Sequence, residues 1–190
     1  MFALPLTDTA ELRPLSPWHA EEFLANLDRA REHISPWVSP SFVATDLDGA
    51  KRVLDRYAER WARDDGGIWG IWDDNVLVGG VLFVSLNVQV GVCEAGCWLV
   101  PAASRRGLVT RGLKIMLDWA FDVRGMHRVE WHASSANQPS INVARRLGMS
   151  REGVLRENYP HRGVRTDTEV WAVLAPEWRT AREGAAHSGR

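Results

Sequence analysis

The nine residues Ser104 to Gly112, SRRGLVTRG, carry a pattern suited to holding an anion. They stand between an apolar run ending GCWLVP and a segment in which Val109, Leu113, Met116, Leu117, Ala120 and Phe121 recur at helical spacing. Three arginines and a glycine therefore gather at a helix start. The first turn of a helix has backbone N–H groups without intrahelical partners and the positive end of the macrodipole. Arg105, Arg106 and Arg111 are each misplaced there on a scale of ~0.3–1 kcal/mol, unless a bound anion reverses the sign. Gly107 removes a side chain where a phosphate would approach the backbone. The same residues also fit a plain turn with solvated arginines and glycines that serve packing.

The elements around this stretch set its position. Val92 to Val100 reads as a strand, Arg106 to Arg124 as a helix, and Arg128 to Ala133 alternates polar and apolar residues as a strand does. Strand, helix and strand make a crossover unit that puts the helix N-terminus at the carboxyl end of the first strand, where ligands bind in such sheets. Upstream, a short strand fits Thr7 to Arg13. Ser16 with Pro17 opens one helix and Asp46 opens a second that runs to about Arg63. GIWGIW and VLVGGVLFVSL, joined by Asp73-Asp74-Asn75, read as a hairpin. A short helix fits Pro139 to Leu147, and strands fit Met149 to Arg156 and Thr166 to Leu174.

The 190 residues suit one domain, expected over 1–178, with a small polar tail over 179–190 that frays. Lys and Arg number 23 against 24 Asp and Glu, a net charge of -1, which argues against direct nucleic-acid binding by bulk electrostatics and makes any anion site local. The start MFALPLTDTAELRP has no basic segment followed by an apolar one, and no run approaches the ~18 apolar residues of a span, so no membrane association is expected. Two cysteines, Cys93 and Cys97, build no disulfide framework and suit a reducing cytoplasm; with no His or Cys partners in sequence they suggest no metal site. Ten tryptophans recur inside strand and helix patterns, as core and platform residues do.

EAGCWLVPAASRRGLVTRGLKIMLDWAF and NQPSINVARRLGMSREGVLREN, followed by Gly163 and Asp167 in a G-x-x-x-D spacing, occur in this order. On these motifs the sequence resembles the GNAT acyltransferase superfamily, and within it the RimJ/RimL-type branch of ribosomal-protein N-terminal acetyltransferases. The resemblance covers about Glu94 to Trp178, with weaker agreement at ISPWVSP. It implies an α/β (α+β) fold with a mixed, mostly antiparallel sheet, splayed at the parallel pair of strands 4 and 5 and flanked by about four helices. It implies acetyl-CoA as acyl donor, without a metal, and a primary amine as acceptor. A protein N-terminal α-amine is the first expectation; a small-molecule amine, a longer acyl-CoA such as succinyl-CoA, or a non-catalytic CoA-binding module stay open.

The resemblance also distributes roles. Backbone amides from Arg106 through Thr110, thus Gly107, Leu108 and Val109, would hold the pyrophosphate, with Arg105 standing where the family often has a first glycine. Leu99 and Val100 would flank the pantetheine arm, and Asn137 would contact its amides. Acetyl transfer needs a neutral amine, a stabilised oxyanion and a proton for the thiolate. An α-amine, with a pKa of ~7.7–8, needs only modest help. Glu94 matches the family's acidic position and is the candidate base, against the reading of an outward strand residue paired with an arginine. Many members carry a tyrosine in the short helix to protonate the thiolate; Ala144 stands there instead, and Ser140 resembles a group that could serve the sulfur. Asn137 with Pro139 also fits a simple helix cap. Trp37 resembles the branch's acceptor-lining tryptophan, and Tyr159, Glu157 and His161 fall where acceptors enter. An exposed strand near the end of the chain, with surface tryptophans, suggests a homodimer.

Overall fold

Asp46 accepts a hydrogen bond from the Gly49 N–H (2.6 Å) and caps the helix that the sequence opens at that point. Asn137 does the same for the Ser140 N–H (3.3 Å). Among the described residues five α-helices result: α1 (Ala20–Ile34), α2 (Leu47–Ala62), α3 (Leu108–Asp118), α4 (Gln138–Arg146) and α5 (Ala175–Ser188). Eight strands accompany them: β1 (Leu4–Pro5), β2 (Ala10–Pro14), β3 (Gly67–Asp73), β4 (Val76–Asn87), β5 (Val92–Leu99), β6 (Arg128–Ser134), β7 (Ser150–His161) and β8 (Val164–Leu174). The computed structural model describes residues 3–161 and 163–188, without the side chains of His161 and 185–188. Among these, no helix is long and apolar enough to cross a membrane.

The strands form one sheet in the order β1-β2-β3-β4-β5-β6-β8-β7, antiparallel throughout except for the parallel pair β5-β6. That pair was expected as strands 4 and 5; the two-residue β1, which pairs with β2, moves the count by one. The fifth helix is also a departure. The end of the chain, expected to fray after Trp178, is helical to Ser188. Trp178 Nε1 donates to Asp118 Oδ1 (2.8 Å), and Arg182 bridges Asp118 and Asp122 (2.9 and 2.6 Å). The long helix expected to reach Arg124 is α3 extended by a π-helical turn over Trp119–Val123.

Strand alternation separates the two faces. On one, Trp98 of β5 donates from Nε1 to Asn26 Oδ1 in α1 (2.7 Å), and Phe23 and Phe42 pack edge-on against its ring. Helix α2 packs on α1 over this face. Val81, which pairs with Cys97 and so points the other way, lies beneath Gly112 of α3. Helix α4 joins α3 on that second face, where Trp131 of β6 donates to Ser140 (3.0 Å). Gly79 and Gly80 are required at β4: a Cβ on Gly80 would lie 2.1 Å from the Trp98 ring, and one on Gly79 would lie 2.4 Å from the Trp98 carbonyl oxygen.

Candidate functional site

The sheet forks at one point. Strands β5 and β6 pair through Val92–Arg128, Cys93–Val129 and Glu94–Glu130, after which β5 continues on β4 and β6 on β8. A bulge in β4 between Phe83 and Ser85 lies opposite Glu94 and Ala95, bending the strand where it leaves its neighbour. Glu94 is therefore the last paired residue of β5 before the gap. It shares the α1/α2 face with Trp98, while Cys97 faces α3.

The Glu94 carboxylate is about a quarter exposed and meets a histidine rather than an arginine: His132 Nδ1 lies 3.7 Å from Glu94 Oε1. The other ring nitrogen, Nε2, lies 3.5 Å from Glu130 Oε2. Arg128 in turn donates from Nε to Glu130 Oε1 (2.7 Å) and reaches Glu152. Burial pushes the Glu94 carboxyl above its ordinary range; His132 counters this and Glu130 adds to it. A carboxylate raised toward neutrality is a stronger proton acceptor than a solvated one, which is the property a general base needs. Glu130 and His132 were not singled out in the sequence, although the alternation of RVEWHA already put Arg128, Glu130 and His132 on one face.

On the opposite face, Gly107 caps α3 in the left-handed conformation (φ 75°), and the first helical bond runs from the Arg111 N–H to its carbonyl. The amides of Leu108, Val109 and Thr110 precede that bond and form the open first turn. A Cβ on Gly107 would meet nothing closer than Arg111 Nε at 3.9 Å, so the space above the turn is free for a ligand. Arg105, standing where the family often has a first glycine, adopts the left-handed conformation (φ 64°) despite its side chain. The arginines do not all wait for an anion. Arg106 is bound bidentately by Asp73, at the end of β3, and Thr9 supports the same carboxylate (2.8 Å). Arg111 donates to the Leu6 carbonyl (3.3 Å). The protein itself thus answers much of the charge misplacement.

Val100 is not free to bind along an extended ligand: its N–H bonds the Val78 carbonyl (2.8 Å) and its carbonyl accepts from Ala103 (3.1 Å). In an antiparallel ladder bonded and non-bonded pairs alternate, so the amides of Leu99 and Cys97 point away from β4 into the gap. The amide of Cys97, which the sequence did not single out, is thus open on the same edge as that of Leu99. Ser140 Oγ accepts from Trp131 and retains its own proton to donate, while Asn137 spends its carbonyl oxygen on the cap and keeps its amide N–H groups. Ala144 is fully buried, so the short helix offers no acid there. Burial pushes the Cys93 and Cys97 thiols up to about 12, which removes them as nucleophiles at neutral pH. Among the described residues no group of His, Cys, Asp and Glu could hold a metal ion.

Of the remaining candidates, Tyr159 lies on the Glu94 face. Tyr159 pairs with Thr166, and Thr168 of the same strand pairs with Ser134 of β6, so register puts Tyr159 on the side of His132. It is 37% exposed. A bulge at 156–158 precedes it, where Glu157 adopts φ 51° and its N–H bonds Asp167 Oδ1 (2.8 Å). Trp37, 41% exposed, lies in the turn after α1, on the loop whose Phe42 covers Trp98. The side chain of His161 lies outside the described residues.

Residues 10–150 match the family described as "Acetyltransferase (GNAT) domain". The probable N-acetyltransferase YjcK of Bacillus subtilis (strain 168) is 28% identical over 176 residues, covering 89% of this chain and 96% of that protein. Among solved structures, RimL, a ribosomal L7/L12 alpha-N-protein acetyltransferase in complex with coenzyme A, superposes with a TM-score of 0.84 at 18% identity, over 90% of this chain and 97% of the other. RimJ of Mycobacterium smegmatis in complex with CoA-disulfide gives 0.81 at 21%, over 88% and 83%. The forked sheet, the open helix start beside it and the match over most of the chain lead to one conclusion: the chain belongs to the GNAT acetyltransferase family and is an acyl-CoA-dependent N-acetyltransferase.

Proposed function

We propose that the chain moves the acetyl group of acetyl-CoA to a primary amine, with a protein N-terminal α-amine as acceptor, by direct attack in a ternary complex. The observation that carries this reading is the placement of Glu94 at the fork, on the face opposite Gly107 and Ser140. Donor and acceptor then approach from the two sides of the sheet and meet where β5 and β6 part. The open amides of Leu108 to Thr110 and the space above Gly107 suit the pyrophosphate, with Arg105 adding a cation. The Leu99 and Cys97 amides are available to the pantetheine and to the thioester carbonyl, where developing negative charge needs a donor.

Glu94 takes one proton from the ammonium, and Ser140, which retains its own proton beside Trp131, hydrogen-bonds the departing sulfur or passes it the second proton lost by the amine nitrogen. The raised thiols of buried Cys93 and half-buried Cys97 favour direct transfer over a thiol-bound intermediate. Exposed Trp37, Leu155 and Tyr159 leave the acceptor side wide and partly apolar, which suits the end of a polypeptide. The likeness to RimL, a ribosomal L7/L12 alpha-N-protein acetyltransferase, supports the same acceptor class.

The test is thiol release from acetyl-CoA across unblocked seryl and alanyl peptides and small primary amines, with Glu94→Gln run in parallel over pH. Turnover on peptides, and loss of turnover in Glu94→Gln with its acidic limb displaced, is the expected result. Tight CoA binding without turnover on any amine, or an unaltered rate and profile for Glu94→Gln, rejects the reading.

A further inference from the structure

We propose that His132 is a proton-relay residue that empties Glu94 between turnovers, with Glu130 fixing its tautomer; this rests on Glu94 being the base. The geometry sets a single imidazole between two carboxylates with one nitrogen toward each, Nδ1 at 3.7 Å from Glu94 and Nε2 at 3.5 Å from Glu130. Such contacts commonly tighten when substrate fills the site. Glu130 is itself held by Arg128 Nε at 2.7 Å, and Arg128 is anchored at Glu152, so the Glu130 carboxylate is fixed in place as the acceptor facing Nε2. That leaves the lone pair on Nδ1, facing Glu94.

Each acetyl transfer to an ammonium releases one proton net. Glu94 accepts it from the amine nitrogen, but Glu94 is partly covered, and its environment favours keeping that proton. The proton passes from the Glu94 carboxyl to His132 Nδ1, giving imidazolium, and then from Nδ1 to water or buffer. His132 is about one third exposed, whereas Glu94 is less so. The Nε2 proton stays on the ring, directed at Glu130, throughout, so the ring returns to its starting tautomer and no other group changes. Among the described residues, the charged groups acting on Glu94 are His132 and Glu130 of β6, with Tyr57 of α2 beside it and Arg56 and Arg60 beside Tyr57; Arg128 reaches Glu130, and across from His132 on β8 stands Val170, which carries no charge.

The experiment measures kcat of the full chain for His132→Ala and Glu130→Gln, with acetyl-CoA and the amine that turns over fastest in the panel above, at rising concentrations of imidazole buffer. Titration of CoA by calorimetry establishes that each variant folds and binds donor. His132→Ala should lose about 10- to 100-fold in kcat, with CoA affinity retained and the rate restored as imidazole rises. Glu130→Gln should lose less and respond to buffer in the same direction. Wild-type kcat in His132→Ala, or a loss that imidazole does not relieve, overturns the relay. Glu94→Gln separates the two claims: if it is slow while His132→Ala is not, only the relay falls, and if it turns over normally, the base assignment falls with it.

Discussion

Gly107 offers the sharpest test of where the donor's phosphates sit. It holds φ 75° and ψ 4° at the cap of α3, and a Cβ there would have only Arg111 Nε within reach, at 3.9 Å. Alanine therefore meets no clash in the free protein and costs only the left-handed conformation, about 1–2 kcal/mol for an L-residue. For a chain of this size each kcal/mol corresponds to ~2–4 °C in Tm. Gly107→Ala should thus melt about 2–8 °C lower without ligand. The same methyl occupies the space a phosphate needs to reach the Leu108, Val109 and Thr110 amides. Each charge-assisted bond lost there is worth about 1.5–3 kcal/mol, so the acetyl-CoA KM should rise at least about tenfold. Gly107→Val adds a β-branched side chain at positive φ and should be worse on both counts. Arg106→Ala should matter less, because Asp73 already engages that guanidinium. Melting by calorimetry and KM by thiol release separate the two effects. A Tm loss of the expected size with an unchanged KM refutes the phosphate site.

Asn26→Leu removes the acceptor of the Trp98 indole N–H, while Leu77 O keeps Arg29 (2.7 Å); a loss of about 1–3 kcal/mol in urea unfolding is expected. Gly112→Ala should stabilise α3 by about 0.5–1 kcal/mol, since the added methyl meets Val81 at an ordinary 3.5 Å, and a higher urea midpoint checks it. Glu94 should show the stability cost of its environment. Its folded pKa lies above the unfolded one, so its contribution is full below the ordinary carboxylate range and is lost as pH rises through the folded value. Glu94→Gln, which stays neutral, should therefore be more stable than wild type at about pH 8, and the two urea midpoints should converge near about pH 4.

Much of the scaffold was legible because local chemistry dictated it. The apolar stripe from Val109 to Phe121 specified a helix, Asp46 and Asn137 are caps by side-chain type, and Asp74 and Asn75 tolerate the positive φ of their turn (47° and 62°). The end of the chain was not legible, because α5 is held by Asp118 and Asp122, some 60 residues earlier.

The candidate site divides along the same line. The sequence by itself pointed to the open helix start at Gly107 through residue type and short spacing, and through the family resemblance to the acidic position at Glu94 and to Ala144 where many members carry a tyrosine. Only the tertiary structure decided which charges meet. Asp73 lies 33 residues from Arg106, and His132 lies 38 from Glu94; each pair exists because strand register brings distant side chains to the same place. The free amides of Leu99 and Cys97, and the loss of Val100 as a partner, likewise follow from which way β5 turns its hydrogen bonds. Periodicity along a strand gives the face a residue occupies, but a neighbouring strand's register gives its partner, and no single strand contains that information.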